Sequence, residues 1–183
     1  MHLQQSRVRA LRGNHRPGLR TRTGWRRLRS DGQIAWHSVR VHPDKPVTAP
    51  LFTLGDARRL LDEQPFCRWW GLQVIEIGDG SATVTLASAP HLLRPGGVLH
   101  GSSYEVVADV AMWLAIMTRA GLEPMAVTIE MKTSFLRGTS SSITGTAQLL
   151  RLGRRVAFGE AKILDDAGTL VAHSTLSYIR PTG

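Results

Sequence analysis

The sequence predicts an α+β fold in which a curved antiparallel sheet wraps one long helix, and three observations predict it. Between Val106 and Met117 the only charged residue is Asp109, so a helix there is apolar on nearly every side and must be enclosed by protein. Four segments after it alternate in strand fashion, and two shorter ones before it carry strand residues around a Gly-Asp-Gly turn. One face of an antiparallel sheet closed over a single helix covers both apolar surfaces.

The elements begin well inside the chain. Of the formal charge of +9 over 183 residues, all of it lies in the first 50, which hold ten Arg and Lys45 against Asp31 and Asp44. Residues 51–183 hold twelve basic and twelve acidic side chains and are formally neutral. The basic stretch is rich in Arg, Gly and Pro without apolar periodicity, which predicts a disordered arm over 1–50 ahead of one domain over 51–183. It has no apolar core of a secretory signal. An organelle transit peptide and a phosphate-binding tail are alternatives for it. The favoured reading is a dispensable arm, one origin being a start assigned too far upstream, although no Met falls between Met1 and Met112. Nucleic acid is therefore not the expected partner.

Leu54 opens the ordered part. In "TLGDARRLLDEQPF" Thr53 or Asp56 serves as a helix cap, Leu54, Ala57, Leu60 and Leu61 form an apolar stripe, and Pro65 is the expected stop. "LQVIEI" and "SATVTLA" then make a hairpin, and "APHLLRPGG" reads as a loop. The long helix runs from Ser102 to about Arg119, with Ser102 or Ser103 as N-cap and Gly121 as C-terminal stop. Its apolar run is too short to span a bilayer, so no membrane partner is expected. The segments "MAVTIEMKTSFL", "SSITGTAQLLRL", "RRVAFGEAKIL" and "TLVAHSTLSYI" follow, with turns at Arg137-Gly138, Leu152-Gly153 and Asp165 to Gly168. Hairpin spacing of these four predicts antiparallel pairing. The lone Cys67 cannot form an internal disulfide and lacks metal-ligand spacing, which fits a reducing compartment, the cytoplasm. No metal site is read from the sequence.

Asp109 is the residue that needs a reason. Burying a lone carboxylate is expensive unless it has a partner or a task. Either it pairs with an arginine, Arg94 or Arg119, or it sits in a dry cleft as a general base or nucleophile. Gly101, at the mouth of the helix, exposes a backbone N–H at the positive end of the helix dipole, which suits a developing oxyanion. A plain steric reason for that glycine is the alternative. Eight residues of helix separate Gly101 from Asp109, roughly 12 Å, too far for one chain to bring both to the same carbonyl. If both are catalytic, two subunits related by a two-fold axis must supply one each.

The span "GGVLHGSSYEVVADVA", followed by "VTIEMKTSFLRG" and "LLRLGRRVAFGEAKILDDAGTLVAHSTLSYI", resembles the phenylacetic-acid-degradation type of hotdog-fold acyl-CoA thioesterases over about Leu54 to Pro181. His100 and Asp109 have the spacing of the family's His-Gly and helix Asp, and Val107-Ala108-Asp109 stands for its Leu-Ala-Asp. The resemblance implies a hotdog fold and hydrolysis of an acyl-CoA to free acid and coenzyme A. It implies Asp109 as base or nucleophile, the Gly101 N–H as carbonyl-polarising donor, His100 as a brace for the loop, and Thr128 as a hydroxyl near the attacking water. No cofactor is implied beyond coenzyme A as part of the substrate, and a homodimer or dimer of dimers is. Two residues depart from the pattern: Arg94 occupies the family's Asn position and Ser102 replaces its second Gly. Arg94 either pairs with Asp109 or binds a substrate carboxylate or coenzyme A phosphate.

Gly97 in the Pro-Gly-Gly turn, Ser102, and Arg154 and Arg155 in "RLGRR" complete the expected substrate contacts. Trp69, Trp70 and Trp113 line an acyl pocket or pack in the core. The alternative function is a hotdog protein that binds acyl-CoA or another apolar ligand without hydrolysis. A hotdog dehydratase is disfavoured because no second His-plus-carboxylate loop is found.

Overall fold

A computed structural model describes residues 51–181 and, before them, the backbone of two strands. The chain divides into two units, residues 1–48 and 49–183. In the first, β1 (Gly24–Ser30) pairs antiparallel with β2 (Gln33–Val39), Gly24 opposite Val39 and Ser30 opposite Gln33. The arm expected over 1–50 otherwise lies outside the described residues.

The second unit starts with α1 (Leu54–Glu63), where Thr53 and Asp56 share one capping box: each side chain bonds the other's backbone N–H. Pro65 ends α1 as expected and also opens a further short helix, α2 (Pro65–Trp70), which the sequence reading lacked. Proline at the first helical position gives up an N–H that would have no partner there. β3 (Leu72–Gly78) and β4 (Ser81–Leu86) form the expected hairpin. Within the stretch read as loop, a single turn of 3-10 helix precedes a miniature ladder of β5 (Leu93–Arg94) and β6 (Val98–Leu99). Gly96 and Gly97 turn that ladder with φ of 96° and 73°, a region that side chains other than glycine resist.

α3 (Gly101–Ala120) is the central helix, buried along Val107, Ala111, Leu114 and Met117. Its N-cap is His100, not Ser102 or Ser103, because the imidazole Nδ1 accepts the Ser102 N–H and the helix starts earlier than the serines suggest. β7 (Val127–Phe135), β8 (Ile143–Leu152), β9 (Val156–Asp165) and β10 (Leu170–Ile179) follow. The sheet order is β3-β4-β8-β9-β10-β7, all antiparallel. Arg137-Gly138 therefore does not close a hairpin: β7 crosses to the far edge and pairs with β10 instead of β8. Fitting the sheet around α3 decides that order, which local turn residues do not encode.

The helix lies close to the middle strands because glycine and alanine are interspersed among their larger inner residues. Gly145 faces Ile163, Ala147 faces Ala161 and Leu149 faces Gly159 across the β8–β9 ladder. A Cβ on Gly145 would fall 2.4 Å from Cγ1 of Val107. At the edge, β7 carries a bulge: Met131 opposes Leu176 and Glu130 opposes Ser177, but Tyr178 opposes Thr128, leaving Ile129 as the extra residue. Among the described residues no helix is long and apolar enough to cross a membrane.

Candidate active site

Midway along α3, the Asp109 side chain meets the two residues that the β7 bulge brings opposite one another. The Thr128 hydroxyl donates to Asp109 Oδ1 at 2.6 Å, and the Tyr178 hydroxyl donates to the same oxygen at 2.5 Å. The Tyr178 oxygen also lies 2.8 Å from the Asp109 backbone carbonyl. Oδ2 finds no protein partner among the described residues. Burial, and then the negative charge of Asp109, push the Tyr178 phenol well above its ordinary range, against a smaller opposing effect of Thr128. Tyr178 therefore keeps its proton and acts as a donor. A cleft of about 270 Å³ opens at this point, lined by Val110, Trp113, Val127, Thr128 and Tyr178 beside Asp109.

These contacts replace the arginine pairing considered for Asp109. Arg119 is turned to Asp79, with nitrogen to oxygen distances of 2.7 and 3.0 Å. Arg94 lines a different cleft. That second cleft, about 420 Å³, is bounded by Arg94, Val98, Gly101, Tyr104, Phe135 and Arg137. The Gly101 N–H heads it at the first turn of α3 and finds no acceptor among the described residues. The steric reason for a glycine holds too, since a Cβ there would sit 3.3 Å from the Phe135 ring.

His100 braces the entry to α3. Its Nδ1 lies 2.8 Å from Ser102 Oγ and accepts the Ser102 N–H at 3.2 Å, while the His100 backbone N–H donates to the Leu92 carbonyl. Gly97 donates to the Arg94 carbonyl within the β5–β6 turn. Arg154 and Arg155 are exposed in the β8–β9 turn and line neither cleft. Of the tryptophans, Trp113 lines the Asp109 cleft and its Nε1 donates to the Pro124 carbonyl at 3.3 Å, whereas Trp69 is 67% exposed and stacks edge-on against Trp70.

The structure thus joins Asp109 with Thr128, joins Gly101 with Arg94, and keeps the two pairs in separate clefts of one chain. The sequence reading missed Tyr178. Its signal was there: on β10 Leu176 and Tyr178 share the inward face, and a buried tyrosine hydroxyl needs a partner. Among the described residues no three His, Cys, Asp or Glu side chains gather as metal ligands.

Residues 96–181 match the thioesterase superfamily. A Mycobacterium tuberculosis protein named only as an esterase is 35% identical over 113 residues, covering 59% of this chain and 80% of that one. A 1,4-dihydroxy-2-naphthoyl-CoA hydrolase of Listeria monocytogenes is 24% identical over 105 residues, covering 57% of this chain and 85% of the other. Among solved structures, a single-substitution form of the phenylacetic acid degradation protein PaaI from Thermus thermophilus superimposes with a TM-score of 0.58 at 28% identity, over 64% of this chain and 100% of that one. With the sheet closed around one carboxylate-bearing helix, and sequence shared along four fifths of a relative, the chain belongs to the thioesterase superfamily and has the hotdog fold of its PaaI-like members.

Proposed function

We propose that the protein hydrolyses an acyl-CoA thioester to a free acid and coenzyme A, with Asp109 as general base. The observation that carries this reading is the asymmetry of the Asp109 carboxylate: two hydroxyl donors occupy Oδ1, and Oδ2 is left without a protein partner beside a cleft. Water adds to the thioester carbon as Oδ2 takes its proton, and the carbonyl oxygen becomes an oxyanion. The oxyanion collapses, the carbon–sulfur bond breaks, and the departing thiolate recovers the proton from Asp109. This hydrolysis needs no cofactor besides the coenzyme A of the substrate.

A second copy of the chain completes this site. Gly101 supplies the oxyanion donor, and its roughly 12 Å separation from Asp109 along α3 requires it to come from a two-fold partner. The exposed edge strand β7 supports self-association, because Val127, Ile129 and Phe135 are each more than half exposed beside unpaired backbone groups. Arg94, in the Gly101 cleft, anchors a phosphate or carboxylate of the substrate. Arg154, Arg155, Gly97 and Ser102 are further contacts in this reading. Cytoplasmic residence belongs to it as well, supported by a single cysteine that cannot form an internal disulfide.

The test is thiol release from a panel of acyl-CoAs by the wild type and by Asp109→Ala. Loss of turnover in the variant is expected. Equal rates would end the catalytic reading, and retention of acyl-CoA without any turnover by the wild type would identify a binding protein instead.

A further inference from the structure

We infer that Tyr178 is a positioning residue for this hydrolysis: with Thr128 it pins one oxygen of Asp109 and so selects Oδ2 as the oxygen that takes the water proton. The inference rests on the thioesterase reading above and deepens it.

An aspartate carboxylate is symmetric, and rotation about its last bond presents either oxygen equally. Two donors converging on Oδ1 remove that equivalence. Both come from the sheet, Thr128 from β7 and Tyr178 from β10, so the carboxylate is held from outside its own helix. The Tyr178 oxygen reaches the Asp109 carbonyl as well, which ties β10 to α3 at the residue whose side chain it orients.

The chemistry of the side chain points the same way. Tyr178 is 2% exposed, on a face shared with the fully buried Leu176, where phenylalanine would fill the space without a polar atom. Burying a phenol hydroxyl is unfavourable unless it is hydrogen-bonded, so its place there is explained by the bond it makes.

Tyr178→Phe keeps the ring and removes the donor. On an acyl-CoA that the wild type hydrolyses, kcat is expected to fall about tenfold with KM little changed. A tyrosine that only packs would leave kcat in place, since the phenylalanine ring fills the same space, and a kcat equal to that of the wild type overturns the inference. A second measurement needs no turnover. The chain has two tyrosines, and their ionisation can be followed by ultraviolet absorbance in full-length wild type and in Asp109→Asn. Removing the negative charge beside Tyr178 is expected to bring its ionisation to lower pH. Identical titration of the two proteins overturns the inference even if thioesters are hydrolysed, whereas a shift without thioester turnover keeps the contact and defeats only the proposed reaction.

Discussion

Thr128 and Tyr178 stand opposite one another in the β7–β10 ladder, and both hydroxyls end on Oδ1 of Asp109. The bulge at Ile129 makes this meeting. In strict alternation Thr128 would share the outward face of Glu130 and Lys132, and Ile129 would oppose Tyr178. One extra residue reverses the phase, so that Thr128, Met131 and Thr133 are partly buried while Ile129, Glu130 and Lys132 are exposed.

Removing the Thr128 hydroxyl at constant shape, Thr128→Val, is expected to lower kcat on the order of tenfold, the size of one hydrogen bond to a charged group. Thr128→Ser retains the donor and should stay near the wild type. Steady-state rates on one acyl-CoA decide it, and a valine variant as fast as the serine variant would remove Thr128 from the site.

Gly101→Pro isolates the proposed oxyanion donor. Gly101 is the first residue of α3, where proline is well tolerated, and His100 before it has φ −67° and ψ 148°, a conformation that a following proline favours. The substitution removes the N–H but also adds a Cβ 3.3 Å from the Phe135 ring, so Gly101→Ala, which adds the Cβ and keeps the N–H, is the control for packing. The thermal midpoint of Gly101→Pro should stay close to that of Gly101→Ala, while its kcat falls on the order of 10²-fold or more below it. Mixing Gly101→Pro with Asp109→Asn chains, after unfolding and refolding together, should restore activity at about a quarter of the sites if each site draws on two subunits. No recovery in the mixture would place both residues in one chain.

Stability should decline in alkali through Tyr178 and Cys67. Each has a raised ionisation range in the folded chain, Tyr178 above 10.0 and Cys67 from 9.0 up to about 11, with burial the first cause of both. Below those ordinary values the groups are protonated whether folded or not, and their burial is fully tolerated. As pH rises past them, the unfolded chain ionises first, so each group lowers stability by up to about 1.4 kcal/mol per pH unit until its folded value is reached. Urea unfolding across this range should show a shallower decline for Tyr178→Phe and for Cys67→Ala, and slopes equal to the wild type would contradict the burial argument.

Gly145→Ala should destabilise the fold by about 1–3 kcal/mol, because its Cβ would fall 2.4 Å from the buried, β-branched Val107. Combining it with Val107→Ala in a double-mutant cycle should reveal coupling between the two sites, measured by denaturant midpoints. Simple additivity would mean that helix and sheet do not touch there.

What the sequence determined by itself was whatever follows from local periodicity and from the kind of residue present. An apolar run around Asp109 dictated an enclosed helix, alternation marked each strand of the main sheet, and the glycine before that helix marked a donor with no partner. A carboxylate in apolar surroundings, half-buried in the structure, was legible for the same cause: the cost of burying charge belongs to the residue itself. Tertiary structure alone decided which cleft holds which residue. The β7–β10 pairing joins residues about fifty positions apart, so neither the bulge that turns Thr128 inward nor the tyrosine it meets follows from any local window. Arg94 and Asp109 are close enough in sequence to suggest an ion pair, yet the helix carries one away from the other, and two hydroxyls from the far edge of the sheet take the place of the charge.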